Sequence, residues 1–477
     1  MKSWFKGLAW LVAVTCVVWL AVLWHWRSQP REIGAADLWM YLVALPLVVM
    51  ALLLAGRWAW GAAASRHAQR EADRTAAPEA PAAGEAAAAS GLPRWQVLGQ
   101  WVHLSTGDSP EAALDAVAAG KPRPAPDPLL RDDQGLPVLS ARCPSLDAQA
   151  LALELPQPQQ FDAAALRALA ALAAVVDGLS SRWPLWAARF PAGAPSAGSS
   201  ASSVEPVHRI RVLAHWPPHW PESARAQASV WLEQGLKAGA GDAVPAACWM
   251  VQAVPGDGVA LLVAADKLLE TLHRQSCDDL VLSLACHSDL DTPAVDRLLR
   301  EQRLFQSERQ PRGVMPGEGA AAMLWATRPW PLQEDAPPVQ ASRFQAICRE
   351  QSIDAPGRVR ARELSQAVDS LLTQGGLAAE SLCALVTDSD QHTARATELF
   401  AVSLSRLPQL DPAEDMRLLG TLSGHLGGVS PLATLALAAT WVEQGHGPLL
   451  ALSVGDRHWR LAAHLELPRE AAVAAAS

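Results

Sequence analysis

Pro316-Gly317-Glu318-Gly319-Ala320-Ala321-Ala322 and Leu422-Ser423-Gly424-His425-Leu426-Gly427-Gly428 are the two segments on which the reading of this 477-residue chain turns. Glycines clustered beside apolar runs mark backbone that passes so close to another group that a side chain would collide. Gly317, Glu318, Gly319, Gly424, His425, Gly427 and Gly428 are therefore read as a packing motif.

Outward from these clusters the hydrophobic pattern alternates between helix and strand. Helices are expected over 163–179, 229–237, 259–275, 361–372, 393–407 and 431–444, and strands over 210–214, 278–285, 320–325, 382–387 and 449–454. Alternating strands and helices of this kind imply an α/β protein with buried sheets. The Gly/Ala/Ser-rich stretch 195–204 reads as a loop.

In this order and spacing the segments resemble the β-ketoacyl synthase branch of the thiolase superfamily. The helix at 259–275, the strand opening at Cys277-Asp278-Asp279, the Gly317-Glu318-Gly319-Ala320 strand, the strand Leu385-Val386-Thr387-Asp388, the helix containing Glu398 and the Gly424-His425 pair follow the family's sequence of elements. The likeness spans about 249–467 and implies a duplicated, layered α/β fold, with halves at 94–335 and 336–477. The family's chemistry needs a thiolate at a helix N-terminus and two basic groups that stabilise a thioester oxyanion. Counting along the resemblance puts the nucleophile at Gly258 or Val259, the first histidine at Thr387 or Asp388, and the lysine at Gly420. Only His425 of the set is retained, so acyl transfer is not expected and the chain reads as a pseudoenzyme.

Other residues carry weaker signals. Cys248 reads as a buried thiol, and His392 as an exposed loop residue. His215 and His219 are four apart, but Pro217-Pro218 forbids the helix that would converge them on an ion. Asp388, Asp390 and Glu398 read as a helix N-terminal charge set, and Gly256-Asp257-Gly258 as a turn without the Lys-Ser/Thr of a phosphate loop. No metal and no cofactor is expected.

The N-terminal part has a different character. Twenty residues free of acidic or basic charge apart from His25 separate Lys6 from Arg27, enough to span roughly 30 Å of hydrocarbon as a helix. A second uncharged run, 38–56, holds Pro46 and ends at Arg57, and tryptophans flank both runs, as at a membrane interface. Residues 1–60 thus read as a two-helix transmembrane hairpin inserted through 8–56, and the Ala/Pro/Glu-rich stretch 61–93 as a flexible tether. Lys2 and Lys6 before the hairpin and Arg57, Arg66, Arg70 and Arg74 after it place both termini in the cytoplasm. Seven scattered cysteines without C-x-x-C spacing fit that reducing compartment, and a net charge of −9 excludes a nucleic-acid footprint.

Anchored, degenerate ketosynthase-like chains are similar to adaptor or chaperone proteins of type VI secretion effectors. That resemblance implies a place at the bacterial inner membrane and a protein partner, either effector or spike component. A homodimer is expected by analogy with the thiolase superfamily. The alternative is an acyl-transfer or acyl-binding protein of lipid or polyketide metabolism, with Cys248 as the acylated residue.

Overall fold

Met323-Leu324-Trp325 contains no polar residue because both faces of its strand are covered, and that arrangement recurs through the described residues. The computed structural model describes residues 93–186, 190, 208–330, 337–355 and 357–468. The hairpin expected at 1–60, nearly all of the tether at 61–93 and the loop at 195–204 lie outside the described residues.

In chain order the elements are β1 (Trp95–Leu104), α1 (Pro110–Ala119), β2 (Ala125–Arg131), β3 (Pro137–Ser140), α2 (Ala148–Glu154), α3 (Ala163–Ser180), β4 (Ile210–His215), α4 (Glu222–Ala240), β5 (Trp249–Ala253), α5 (Ala260–Arg274), β6 (Leu280–Ser288), α6 (Thr292–Arg300), β7 (Glu318–Ala326), β8 (Val339–Ala341), β9 (Gln345–Cys348), α7 (Arg362–Gly375), β10 (Ala384–Thr387), α8 (Thr393–Arg406), β11 (Met416–Leu418), α9 (Val429–Glu443), β12 (Leu449–Ser453) and β13 (Trp459–Glu466). Short helical turns at Trp183–Trp186 and Gly420–Ser423 complete the larger features.

Two runs of these elements repeat one topology. In the first, β4 lies parallel to β5 and β6, and β6 is antiparallel to β7. In the second, β10 lies parallel to β11 and β12, and β12 is antiparallel to β13. The half-sheets join where β8 pairs with both β1 and β13, giving the order β11-β10-β12-β13-β8-β1-β7-β6-β4-β5. The mixed α/β, thiolase-like class is thus visible as a duplication.

The side-chain period of two in a strand sorts the core into layers. Leu280, Leu282 and Leu284 of β6 pack with Leu169 and Leu172 of α3 and Leu232 and Leu236 of α4 on one outer face. Val281 and Ala285 point the other way, into a central layer built from α5, α9 and α1. Ala384, Val386, Leu449 and Ala451 of the second half-sheet reach the same layer from the opposite side. Leu385, Leu450 and Leu452 turn outward against α7 and α8. The result is five layers, helix, sheet, helix, sheet, helix. The helix α9 is apolar nearly all round because it lies between two sheets. Among the described residues one helix, α3, is long and apolar enough to cross a membrane, and it is a core helix here, with its buried side chains packed against β6, β7 and α4.

Three local readings need correction. The helix expected at 229–237 runs over Glu222–Ala240, because Pro221 and Glu222 set its first turn and the Ala-rich end continues it. His392 is a buried N-cap, accepting the Ala394 amide at Nδ1 (3.1 Å). Asp388, Asp390 and Glu398 do not form one charge set. Glu398 is buried against Arg460 (2.9 Å) and Arg349 (2.8 Å), Asp390 pairs with Arg395 (2.6 Å), and Asp388 accepts the Val454 and Gly455 amides after β12.

Candidate functional site

The two glycine clusters are each other's packing partners. The backbone at Pro316 bridges that at His425, and the His425 amide donates to the Met315 carbonyl (2.8 Å). A Cβ on Gly317 would strike the Ser423 carbonyl oxygen, and one on Gly424, where φ is +64°, would lie 2.8 Å from the Met315 oxygen. Gly319 is similarly confined against the His103 carbonyl of β1 (2.7 Å). These glycines let two loops cross at backbone distance, and the Asp289 amide joins the crossing by donating to the Gly317 carbonyl (3.1 Å).

Beside that crossing lies a cavity of about 450 Å³. Its walls come from corresponding ends of the two repeats: His215 at the end of β4 and Asp388 after β10, His287 and Asp289 at the end of β6, and Gly455 and Asp456 after β12. Gly258 and Gly427-Gly428 bring in the starts of α5 and α9. The carboxyl ends of parallel strands, where helices start, are the usual place for a site in such sheets. The repeat thus supplies each wall twice.

Of the positions singled out in the sequence, Gly258, Asp388, Gly424, His425, Gly427 and Gly428 line this cavity. Thr387 is buried at the end of β10, with Oγ1 accepting the Ser389 amide (3.2 Å). Gly420 is pressed against the Asp388 carbonyl, where no side chain fits, so a lysine could not stand there. Gly258 precedes α5, and a Cβ on it would lie 2.7 Å from Asp456 Oδ2. A carboxylate therefore fills the place in which the resemblance puts a thiolate. Cys248 is buried just before β5 and does not line the cavity, and burial pushes its thiol pKa up. Cys286 does line it, but burial raises its thiol far above the ordinary range.

Glu318 is fully buried and tied into the scaffold. Arg167 of α3 donates from Nε (2.7 Å) and Nη2 (2.5 Å), the Cys143 amide donates at 2.8 Å, and the Ser288 hydroxyl donates at 3.2 Å. Ser288 sits between His287 and Asp289, so this carboxylate steadies the strand end that carries both.

The polar centre of the cavity is a cluster that the sequence did not announce. Asp289 Oδ2 lies 3.0 Å from His287 Nε2 and 2.7 Å from His425 Nδ1, while Oδ1 accepts from Arg297 Nη2 at 2.8 Å. Burial opposes the charge on Asp289, but His287 and His425 outweigh it and hold the carboxyl well below the usual carboxylate range. His287 packs on Gly427, where φ is +52° and a Cβ would lie 2.7 Å from Nδ1, and the His215 ring takes the same kind of space over Gly428. The glycines after His425 are thus the beds of two imidazoles. Burial, with Arg297 close by, pushes His219 down to about 4, and burial also lowers His215. The available signal was His287-Ser288-Asp289 at a strand's carboxyl end, two residues apart and hence on one side of the strand.

No protein-family model matches the chain, and no curated protein matches it in sequence. Solved structures do resemble it. The ketosynthase ApeO in complex with its chain length factor ApeC from Xenorhabdus doucetiae aligns over 79% of this chain and 98% of that one, with TM-score 0.53 and 12% identity. The ketosynthase from module 6 of the bacillaene synthase of Bacillus subtilis 168 aligns over 79% and 72%, with TM-score 0.53 and 11% identity. The ishigamide ketosynthase/chain length factor aligns over 78% and 99%, with TM-score 0.50 and 15% identity. At such identities the likeness is one of architecture, and the fold of this chain is the thiolase-like fold of the ketosynthases.

Proposed function

We propose that this is a ketosynthase-fold protein that acts by binding rather than by acyl transfer: a membrane-tethered adaptor or chaperone for a type VI secretion effector. One observation carries the loss of acyl chemistry. At Gly258 the helix terminus that would activate a thiol faces the Asp456 carboxylate instead, and a thiol beside a carboxylate is deactivated. The cavity wall is also rich in histidine and carboxylate, which suits an acyl chain poorly. The tether follows from residues 8–56 and the basic residues around them, which put the folded part at the cytoplasmic face of the inner membrane, where a protein partner would be met. The secretion role itself rests on resemblance of the anchored, degenerate architecture.

The full-length chain, extracted in detergent, is expected to retain a lipase-type type VI effector from the same genome. Failure to retain any such effector or spike component refutes the adaptor role. Incubation with acyl-CoA and acyl carrier protein, followed by mass spectrometry, is expected to leave all seven cysteines unmodified. An adduct on Cys248 or Cys286 would replace this proposal with acyl transfer.

A further inference from the structure

We propose that His287, Asp289 and His425 bind a divalent transition-metal ion of the zinc type at the floor of the cavity. One donor atom from each of the three side chains lies within 4.8 Å of the other two, and Asp289 Oδ2 is 3.0 Å from His287 Nε2 and 2.7 Å from His425 Nδ1. Two imidazoles and one carboxylate form the N/O donor set that zinc and its first-row neighbours take, and three protein ligands leave room for one from solution.

What surrounds the three side chains is what a metal site needs. Arg297 Nη2 holds Asp289 Oδ1 at 2.8 Å, which fixes the carboxylate plane and leaves Oδ2 to face both imidazoles. Asp289 and His287 are nearly sealed, with side-chain exposures of 2% and 7%, whereas His425 is 23% exposed. The site is therefore closed behind and open towards the cavity. Its backbone is fixed as well, since Gly317 accepts the Asp289 amide, Met315 accepts the His425 amide, and Gly427 gives the His287 ring its space. Carboxylates outnumber guanidinium groups two to one in the cavity wall, with Asp257, Glu301, Asp388, Asp390 and Asp456 in addition to Asp289, a field that draws in cations.

The competing account is a hydrogen-bonded triad in which both imidazoles donate to Asp289 and no ion ever enters. Metal titration of the full-length protein, solubilised in detergent and stripped with chelator, separates the two. Uptake of Zn²⁺ is read by elemental analysis after desalting, and that of Co²⁺ by its visible d–d absorption. One equivalent per chain is expected, with the Co²⁺ spectrum of a low-symmetry N/O site. Arg297→Met is expected to weaken binding about 10- to 100-fold, as loss of a partner that orients a ligand does. His425→Gln and Asp289→Asn should weaken it further, and His458→Ala, on the cavity wall outside the donor set, should leave it unchanged.

His425 is partly exposed, so His425→Gln tests binding even if Asp289→Asn fails to fold, and circular dichroism checks each variant. Zn²⁺ is expected to raise the melting temperature of the parent and not of His425→Gln. Absence of stoichiometric uptake by the parent overturns the proposal. Uptake that is equal in the parent, His425→Gln and any folded Asp289→Asn also overturns it, because the ion would then sit elsewhere on the chain.

Discussion

Replacing Arg167 by methionine tests the claim that Glu318 is a structural tie rather than a remnant of chemistry. The Glu318 carboxylate is fully buried, and its charge is balanced by Arg167, which reaches it from α3 with two N–H donors. Methionine preserves most of the side-chain volume but leaves the carboxylate with two neutral donors, the Cys143 amide and the Ser288 hydroxyl. Removing one partner of a buried pair costs about 3–5 kcal/mol, since an uncompensated charge stays in a low-dielectric site. Glu318→Gln removes the charge itself and leaves Arg167, which is 16% exposed, able to reach water, so a smaller loss of about 1–3 kcal/mol is expected. The double variant buries no charge and should be more stable than Arg167→Met alone. Urea unfolding of the full chain, followed by tryptophan fluorescence and circular dichroism, measures all three. A loss below about 1 kcal/mol in Arg167→Met, or losses that simply add in the double variant, would refute the reasoning.

Other outcomes follow from the same geometry. Gly427→Ala places a Cβ at φ +52° and 2.7 Å from the His287 ring, and should destabilise the chain by about 1–2 kcal/mol from the backbone term alone while displacing the imidazole; its urea midpoint measures this. A cysteine installed by Gly258→Cys should react with iodoacetamide more slowly than free cysteine at neutral pH, because Asp456 faces it, and adding Asp456→Asn should speed the reaction; peptide mass spectrometry reads both. Burial of His464, with Arg94 nearby, lowers its pKa from 6.5 to about 4. Its folded pKa is thus the lower one, so its contribution is complete above pH 6.5 and is lost as pH falls towards 4, by about 2 kcal/mol at pH 5. His464→Gln should flatten that part of the stability profile measured by denaturation between pH 7 and 5.

Much of the fold was legible because buried strands and amphipathic helices keep their pattern over several residues. The strand expected at 449–454 is β12 at Leu449–Ser453, and the helix expected at 393–407 is α8 at Thr393–Arg406. β1 carried no comparable signal. Trp95-Gln96-Val97-Leu98-Gly99-Gln100-Trp101 mixes glutamine and glycine into a strand that is central only because β7 and β8 flank it. Gln100 meets Thr440 and Glu443 of α9, contacts 340 or more residues away that no local window contains. His392 was misjudged for the same reason, since it is buried and meets Asp354, 38 residues earlier in the chain, at 3.3 Å.

The site was legible in half. Glycine clusters reported that another group approaches the backbone closely, without saying which group it is. At Gly317 and Gly424 it is another stretch of backbone, but at Gly427 and Gly428 the visitors are the imidazoles of His287 and His215, which come from the other repeat. A glycine records that space is taken and not by what, so the chemistry has to be read from the group that takes it. At Gly427 and Gly428 the groups are histidines, and one of them, His287, is set with His425 around the Asp289 carboxylate. Polar groups hold both sides of the cavity: Asp456 lies against the start of α5, and Asp289 with its two histidines organises the other side. An apolar lining would need no such arrangement, since each buried carboxylate must be compensated by donors that cost entropy to position. Asp289 is compensated by His287, His425 and Arg297 together, and that is what lets a carboxylate stay buried at the centre of the cavity.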